Sequence, residues 1–154
     1  MSETRSFRDV LGRYPTGVAI VSARVDGRPV GVTVNSFASV SLDPPLVLWS
    51  IETGTDRHRL FEKVENYAIN ILAADQADVA HACAISARLS DCPAEFSDGD
   101  VPMLDTAVAR LVCRRNTVYP GGDHKIILGE VTRMETGRDV PSLVFYRGRY
   151  SKPA

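Results

Sequence analysis

The sequence predicts a mainly β fold, an antiparallel β-barrel with two or three helices at its periphery. Short segments rich in β-branched residues recur along the chain and are separated by turn signals. Most of them are joined by tight turns such as Asp26-Gly27 and Arg147-Gly148, which favour hairpins over parallel strands with crossover helices. An antiparallel barrel also leaves few strand edges open to solvent.

The bounds of the predicted strands are set by the β-branched segments and by the turn residues between them. Residues 36–41 continue extended after the second strand, and a polar loop is predicted over 52–57. Residues 90–102 show no regular pattern. Pro120-Gly121-Gly122 joins the two longest strands. The predicted strands are 17–25, 29–35, 46–51, 67–72, 107–119, 125–136, 143–146 and 149–150.

Three peripheral helices are predicted. A short one covers 57–64, and Asp75 is a candidate N-cap for another that carries Val79, Ala80, Cys83 and Ala84. Near the N-terminus, apolar residues recur at i, i+3, i+4 and i+7 along one helix face, and Pro15 ends that helix. The residues on this face are Phe7, Val10, Leu11 and Tyr14.

Composition limits the class of protein. The 154 residues suit one domain over 1–154, and the formal net charge of -1 gives no electrostatic reason to expect nucleic acid or a membrane as partner. No apolar signal core precedes the first helix. The three cysteines lack close pairing, which is typical of reduced thiols in a cytoplasmic protein. His81, Cys83 and Cys92 lack zinc-ligand spacing, so no metal is expected.

Several motifs that carry known chemistry are missing. No G-x-G-x-x-G follows a strand, so a Rossmann dinucleotide site is not expected. The sequence also lacks a P-loop and the G-x-S-x-G turn of serine hydrolases. Any cofactor must therefore bind through another arrangement.

The first candidate segment runs from Gly31 to Ser41. Small polar side chains at Thr33, Asn35 and Ser39 alternate with valines, so they line one side of a strand. A row of short donors and acceptors suits a planar heteroaromatic ring with a rim of nitrogen and oxygen atoms. The alternative is a plain strand with a solvated polar face.

The second candidate segment is the loop before the short helix. It combines hydroxyls, a glycine and the cation Arg57, a set that can hold a phosphate. The alternative is a helix-capping loop in which Thr55 or Asp56 is the cap.

The third candidate is His124, which follows the flexible Gly121-Gly122. A histidine at the mouth of a hairpin can hydrogen-bond a carboxamide or supply a proton. The alternative is a surface histidine in a turn.

Three runs in this order, GVTVNSFASVSLDPPLVLWSI, YPGGDHKIILGEV and PSLVFYRGRY, resemble the short-chain flavin reductases of two-component monooxygenases. The opening FRDVLGRYPTGVAIV is also similar, so the resemblance spans nearly the whole chain. It implies an FMN-binding split β-barrel and a homodimer. It further implies oxidation of NADH or NADPH, reduction of FMN or FAD, and delivery of reduced flavin to a separate oxygenase.

The resemblance also implies roles for individual residues. His124 would sit by the nicotinamide as the catalytic residue. The isoalloxazine would lie along the T-x-N-S segment, the ribityl chain and phosphate would meet the strand end and loop that follow the DPP turn, and a terminal tyrosine would stack nearby. The residues implied to bind cofactor are Thr33, Val34, Asn35, Ser36, Ser50, Ile51, Thr53, Thr55, Arg57 and Tyr146, with Tyr150 as a further stacking candidate.

One position departs from the family pattern. Many relatives place a basic residue where this chain has Glu95, so phosphate contact from that segment is in question, and Arg88 or Arg57 would have to compensate. The rival functions are an enzyme of the pyridoxamine-phosphate-oxidase type that holds FMN tightly, and a non-enzymatic module that binds flavin or haem.

Overall fold

The computed structural model, which describes residues 2–153, is built around one seven-stranded antiparallel sheet. The spatial order of its strands is β3-β2-β6-β7-β8-β5-β4. The strands are β2 (Ala19–Val25), β3 (Arg28–Val34), β4 (Ala38–Leu42), β5 (Pro45–Glu52), β6 (Asn66–Ile71), β7 (Ala109–Gly121) and β8 (His124–Thr136).

A smaller sheet and three helices surround this one. The small sheet has the order β1-β9-β10, from β1 (Thr16–Gly17), β9 (Val144–Tyr146) and β10 (Arg149–Ser151). The helices are α1 (Glu3–Leu11), α2 (Asp56–Phe61) and α3 (Ala77–Ile85), followed by a short 3-10 turn over Leu89–Asp91. The predicted β class and peripheral helices are confirmed.

The main sheet curls but does not close into a hydrogen-bonded ring. Its two edge strands, β3 and β4, are consecutive in the chain and are joined by residues 35–37. This connection crosses the gap, so the split of the barrel lies where the polar Asn35 and Ser36 sit. The outer edge of β3 bonds at Val30 and Gly31 to residues 87–88, and the edge beyond them lies open at the gap.

Two clusters of buried apolar side chains pack against the main sheet, one on each of its faces. Strand β2 contributes to both, because its side chains alternate: Val21 and Ala23 point into the barrel, while Ile20 packs on the other face, towards Leu72 and Val79. Inside the barrel, Trp49 makes edge-to-face contacts with two aromatic rings, with centroid distances of 5.4 Å to Phe61 and 5.8 Å to Tyr67.

The hairpin turns at Asp26-Gly27 and Arg147-Gly148 are confirmed. In each turn both residues have positive φ, 51° and 78° in the first and 50° and 77° in the second. Two consecutive residues of positive φ make the tight turn that matches strand twist, and the glycine in the second position adopts this conformation without steric strain.

Two predictions about helix ends are wrong. The first helix ends at Leu11, four residues before Pro15, with Gly12 as its C-cap. Asp75 does not cap α3, whose N-cap is Gln76 without a side-chain cap bond. Asp75 instead binds the Arg138 guanidinium through both carboxylate oxygens, at 2.8 and 2.9 Å, and this hydrogen bonding lowers the pKa of Asp75.

A buried polar network ties the irregular segment before β7 to the barrel. Asn70 is fully buried in β6 and its amide donates to the Ile20 carbonyl at 2.9 Å and to Ser22 Oγ at 2.8 Å. Its amide oxygen accepts from the Leu104 N–H at 2.9 Å, and Ser22 donates to the Pro102 carbonyl. These bonds satisfy every buried polar atom of the Asn70 side chain except one lone pair.

We expect Asn70→Ala to lower the free energy of unfolding by about 2–4 kcal/mol, because it leaves buried donors and acceptors without partners. Urea denaturation of the two proteins measures this difference. Asn66→Ala, at the exposed start of the same strand, is the control and should change stability by less than about 0.5 kcal/mol. Equal effects from the two substitutions would contradict the role of the network.

Candidate functional site

A groove opens beside the split of the barrel and collects most of the predicted site residues. Its volume is about 260 Å³, and β3, β5, the start of α2 and the start of β8 form its walls. Nine of the eleven residues predicted from the sequence line it. They are Thr33, Val34, Asn35, Ser36, Ser50, Ile51, Thr55, Arg57 and His124.

Two predicted residues do not line the groove. Thr53 is exposed, and its N–H is held by the Asp123 carbonyl at 2.9 Å. Tyr146 is also exposed, and its hydroxyl accepts a hydrogen bond from Arg147 Nε. Two further residues, Val32 and Glu52, line the groove and were not predicted from the sequence. Alternation along β5 could have identified Glu52, since it follows Ser50 by two positions.

A second hollow of about 170 Å³ adjoins the groove. The two share the stretch from Thr33 to Asn35. Its far wall carries the rings of Phe145 and Tyr150, whose centroids are 5.4 Å apart. Burial raises the pKa of the Tyr150 hydroxyl. The two adjoining hollows together reach the size of pockets that hold small molecules, about 300–1,000 Å³.

Helix α3 fixes the walls of the groove through its backbone carbonyls. The Thr33 hydroxyl donates to the Ala80 carbonyl at 2.6 Å, and Arg57 donates to the Ala84 carbonyl at 2.7 Å. These bonds use the Thr33 hydroxyl proton and one terminal nitrogen of Arg57, and they leave the Arg57 Nε proton unused. Arg57 Nε is buried and has no hydrogen-bond partner among residues 2–153. An unpaired buried donor is costly unless something binds it, so this atom points to an acceptor from a ligand.

The segment that crosses the split is pinned to β5. Ser36 Oγ accepts a hydrogen bond from the Ser50 N–H at 2.9 Å, so this side chain orders the wall. The neighbouring Asn35 is exposed and its amide forms no hydrogen bond with any described residue. Asn35 therefore presents a free donor and a free acceptor at the rim of the groove.

Thr55 caps α2, as one of the sequence alternatives predicted. Its hydroxyl accepts from the His58 N–H at 3.2 Å and donates to the Glu52 carbonyl at 2.9 Å. Gly54 adopts a φ of +83° in this loop, which favours glycine. Capping accounts for the Thr55 hydroxyl, and the side chain still lines the groove beside Arg57.

His124 begins β8 directly opposite Glu52 of β5. Its Nδ1 lies 2.7 Å from an Asp123 carboxylate oxygen, and this hydrogen bond lowers the pKa of Asp123. When Nδ1 donates to Asp123, Nε2 of the neutral ring is an acceptor that a ligand can use. The side chain is 43% exposed, which leaves it accessible to a ligand.

Glu95 and Arg88 do not line the groove. Glu95 lies in a separate acidic hollow that also contains Asp75 and Asp105, and Arg88 is an exposed partner of Asp91. Arg57 is therefore the cation that this chain offers in the groove.

The cysteines take no part in the groove. None of them is in a disulfide among the described residues. Burial raises the pKa of Cys83 and of Cys113 to about 12 each, so both stay protonated at neutral pH. Within residues 2–153 no cluster of His, Cys, Asp or Glu side chains is suited to a metal ion. No helix in that range is long and apolar enough to cross a membrane.

Comparison with known proteins assigns the family. The model described as Flavin reductase like domain matches residues 11–154. The chain belongs to the flavin reductase family. This confirms the resemblance seen in the sequence motifs, and the split at Asn35 and Ser36 is where this family member opens its groove.

Curated relatives carry flavin reductase names. The chain is 44% identical over 156 residues to the FMN reductase (NADH) SmoA of Agrobacterium fabrum, covering 97% of this chain and 86% of that protein. It is 38% identical over 163 residues to the reductase component of the flavin-dependent trigonelline monooxygenase of Acinetobacter baylyi, covering 100% of this chain and 50% of that protein.

Solved structures of flavin reductases share the fold. The NADH:FAD oxidoreductase SgcE6 of Streptomyces globisporus, in complex with NAD and FAD fragments, superposes with a TM-score of 0.91 at 33% identity. The match covers 99% of this chain and 93% of that chain. Agreement over both chains confirms the split-barrel class for this flavin reductase.

Proposed function

We propose that this chain is an NAD(P)H-dependent flavin reductase that supplies reduced FMN or FAD to a separate oxygenase. The observation that carries the proposal is the groove, where polar groups from two strands and one cation surround an open space beside His124. The names of the relatives, which include reductase components of monooxygenases, support the same activity. We further propose that residues 1–154 form one domain. We also propose a cytoplasmic location, because cysteines that form no disulfide are typical of a reducing compartment.

The groove suits a flavin through unsatisfied polar groups. The free amide of Asn35 matches the polar rim of an isoalloxazine, and the unpaired Nε of Arg57 matches a phosphate oxygen. When bound, the flavin supplies the acceptor for a hydride from the reduced nicotinamide. Thr33 and Ser36 hold the walls through their own hydrogen bonds, so the site is organised before a ligand enters.

The second hollow suits the nicotinamide. Phe145 and Tyr150 provide aromatic surface beside the stretch shared with the groove. His124 lines the groove and not this hollow, so a nicotinamide stacked in the hollow would extend its carboxamide into the groove, where His124 would bind it. The protein thus orients two rings and leaves the redox chemistry to the cofactors.

His124→Ala should raise the KM for the nicotinamide about 5- to 10-fold, which is the value of one lost hydrogen bond, with a smaller fall in kcat. The dissociation constant of oxidised flavin should not change. Stopped-flow reduction at several NADH and NADPH concentrations measures both effects. Wild-type nicotinamide affinity in this variant would remove His124 from the site.

Arg57→Gln should weaken FMN binding about 10-fold and leave riboflavin binding unchanged, because riboflavin has no phosphate for the guanidinium to bind. Fluorescence titration of both flavins measures the difference. Arg59→Gln is the matched control, since Arg59 lies two residues on, binds Asp56 and does not line the groove. Equal loss for both flavins would mean that Arg57 acts only by tying α2 to α3.

We propose a homodimer because large apolar side chains remain uncovered. On α1, Phe7 and Val10 are 63% and 66% exposed, and on the edge strand β4 Leu42 is 96% exposed. Exposed apolar groups in such number are typical of an interface. Light scattering after gel filtration should give twice the monomer mass of 16.8 kDa. A monomer at micromolar concentration would contradict this proposal.

A further inference from the structure

A further cavity, separate from the groove and from the hollow beside Phe145 and Tyr150, lies on the other side of β5 and β8. It measures about 190 Å³ and sits inside the barrel, between α2 and the inner faces of β5, β7 and β8. Trp49 and Ile127 are paired across β5 and β8 and line this cavity, whereas Ser50 and Glu52 of the same strand line the groove. The strand alternation that builds the groove thus builds a separate chamber behind it.

The size and walls of this cavity suit one aromatic ring. A cavity of about 150 Å³ with apolar walls is large enough to bind benzene. Here Trp49, Phe61 and Tyr67 already meet edge to face, so they offer ring faces and edges to a further aromatic ring. Most of the cavity surface is apolar, as in other small-molecule sites.

The charges at the mouth favour an anion. The cations Arg115 and Lys125 line the cavity together with one carboxylate, Glu62. His58 also lines the cavity and accepts a hydrogen bond at Nδ1 from the Gly54 N–H, so that nitrogen carries no proton. Two cations and one carboxylate leave a net positive mouth.

The two cations differ in their hydrogen bonding: Arg115 has a partner and the Lys125 side chain has none among the described residues. Arg115 is held in place because its guanidinium donates to the Glu62 carbonyl at 2.8 Å. The Lys125 ammonium forms no ion pair or hydrogen bond with any described residue. An unpaired ammonium on a half-buried residue beside an apolar chamber is suited to a charge-assisted bond with a carboxylate.

We propose that this cavity is a binding site for a small aromatic carboxylate, with the ring against Trp49 and Phe61 and the carboxylate at Lys125 and Arg115. The site is distinct from the groove: β5 and β8 lie between them, and Ile51 is the one residue that lines both. Its existence does not depend on the proposed reductase activity. An occupant would touch the strand that carries Ser50, so we expect it to alter the groove only indirectly.

Trp49 is the only tryptophan of the chain, which gives the site its own signal. Benzoate is the probe, added to the flavin-free full-length protein with excitation at the red edge of indole absorption. We expect a saturable change in Trp49 emission with a Kd below about 1 mM. Calorimetry should give the same Kd at saturating FMN. No saturable change, or displacement of benzoate by FMN, would overturn the proposal.

Paired variants and probes separate charge from shape. Lys125→Gln should weaken benzoate about 3- to 10-fold and leave benzyl alcohol, which has the ring without the charge, unaffected. Lys63→Gln is the control, an exposed lysine near α2 that does not line the cavity, and it should change neither Kd. Equal benzoate affinity in the wild type and Lys125→Gln would refute the anion site.

A second variant tests the position of the mouth without relying on charge. Val118 lines the cavity and is 42% exposed, so Val118→Phe places a ring at the opening without disturbing the core. It should abolish binding of both benzoate and benzyl alcohol, while the thermal midpoint stays within a few degrees of the wild type. Unchanged binding of both probes would place them elsewhere and overturn the proposal.

Discussion

The antiparallel pairing of β5 with β8 is the interaction on which the rest of the structure depends. It runs from Leu46 opposite Glu130 to Glu52 opposite His124 without a break in register. Because side chains alternate along a strand, one face of this pair closes the aromatic core and the other face forms the groove. A slip by one residue would exchange the two faces and place Trp49 in solvent. The packing of the core fixes the register of this strand pair, and the register fixes which side chains face the groove.

The packing behind this strand pair leaves little freedom. A Cβ added to Gly129 would overlap with the Tyr67 hydroxyl, so the Tyr67 side chain occupies the space that a larger residue at 129 would need. The Tyr67 hydroxyl has no hydrogen-bond partner among residues 2–153, and burial is the main cause that raises its pKa. The nearby Trp49 indole and the charge of Arg115 oppose that shift only in part. This rigid core contrasts with the open groove on the outer face.

The groove exists because the sheet is open between β3 and β4. A closed barrel would have paired the edges of β3 and β4, leaving no gap for the segment with Asn35 and Ser36. Helix α3 compensates for the missing strand neighbour by accepting hydrogen bonds from Thr33 and Arg57. The edge strand β3 is thereby held at Gly31 and Thr33, while Asn35 stays exposed. A rigid, accessible wall is what a site needs if it binds and releases two planar ligands.

The sequence predicted the strands and the groove residues well because both depend on local patterns. Alternation of polar and apolar residues around Thr33 and the loop chemistry around Arg57 were visible without a structure. Tyr146 lies outside both hollows, because the tight turn at 147–148 pairs Phe145 with Tyr150 and turns these two rings towards the second hollow. The sequence prediction failed at Asp75, whose partner Arg138 is distant in the chain. Which of several adjacent aromatic residues faces a pocket is a property of register, not of composition.

The amino-acid sequence alone determined the β class, the hairpins and the family, because strand alternation, turn residues and ordered motifs are local features of the chain. Only the folded chain determined that Arg57, Asn35 and His124 share one groove, that Thr53 lies outside it, and that a second chamber lies behind it. These facts arise from strand order and register, which bring together residues far apart in the chain. The physical reason is that the two faces of one strand pair receive their neighbours from different parts of the molecule.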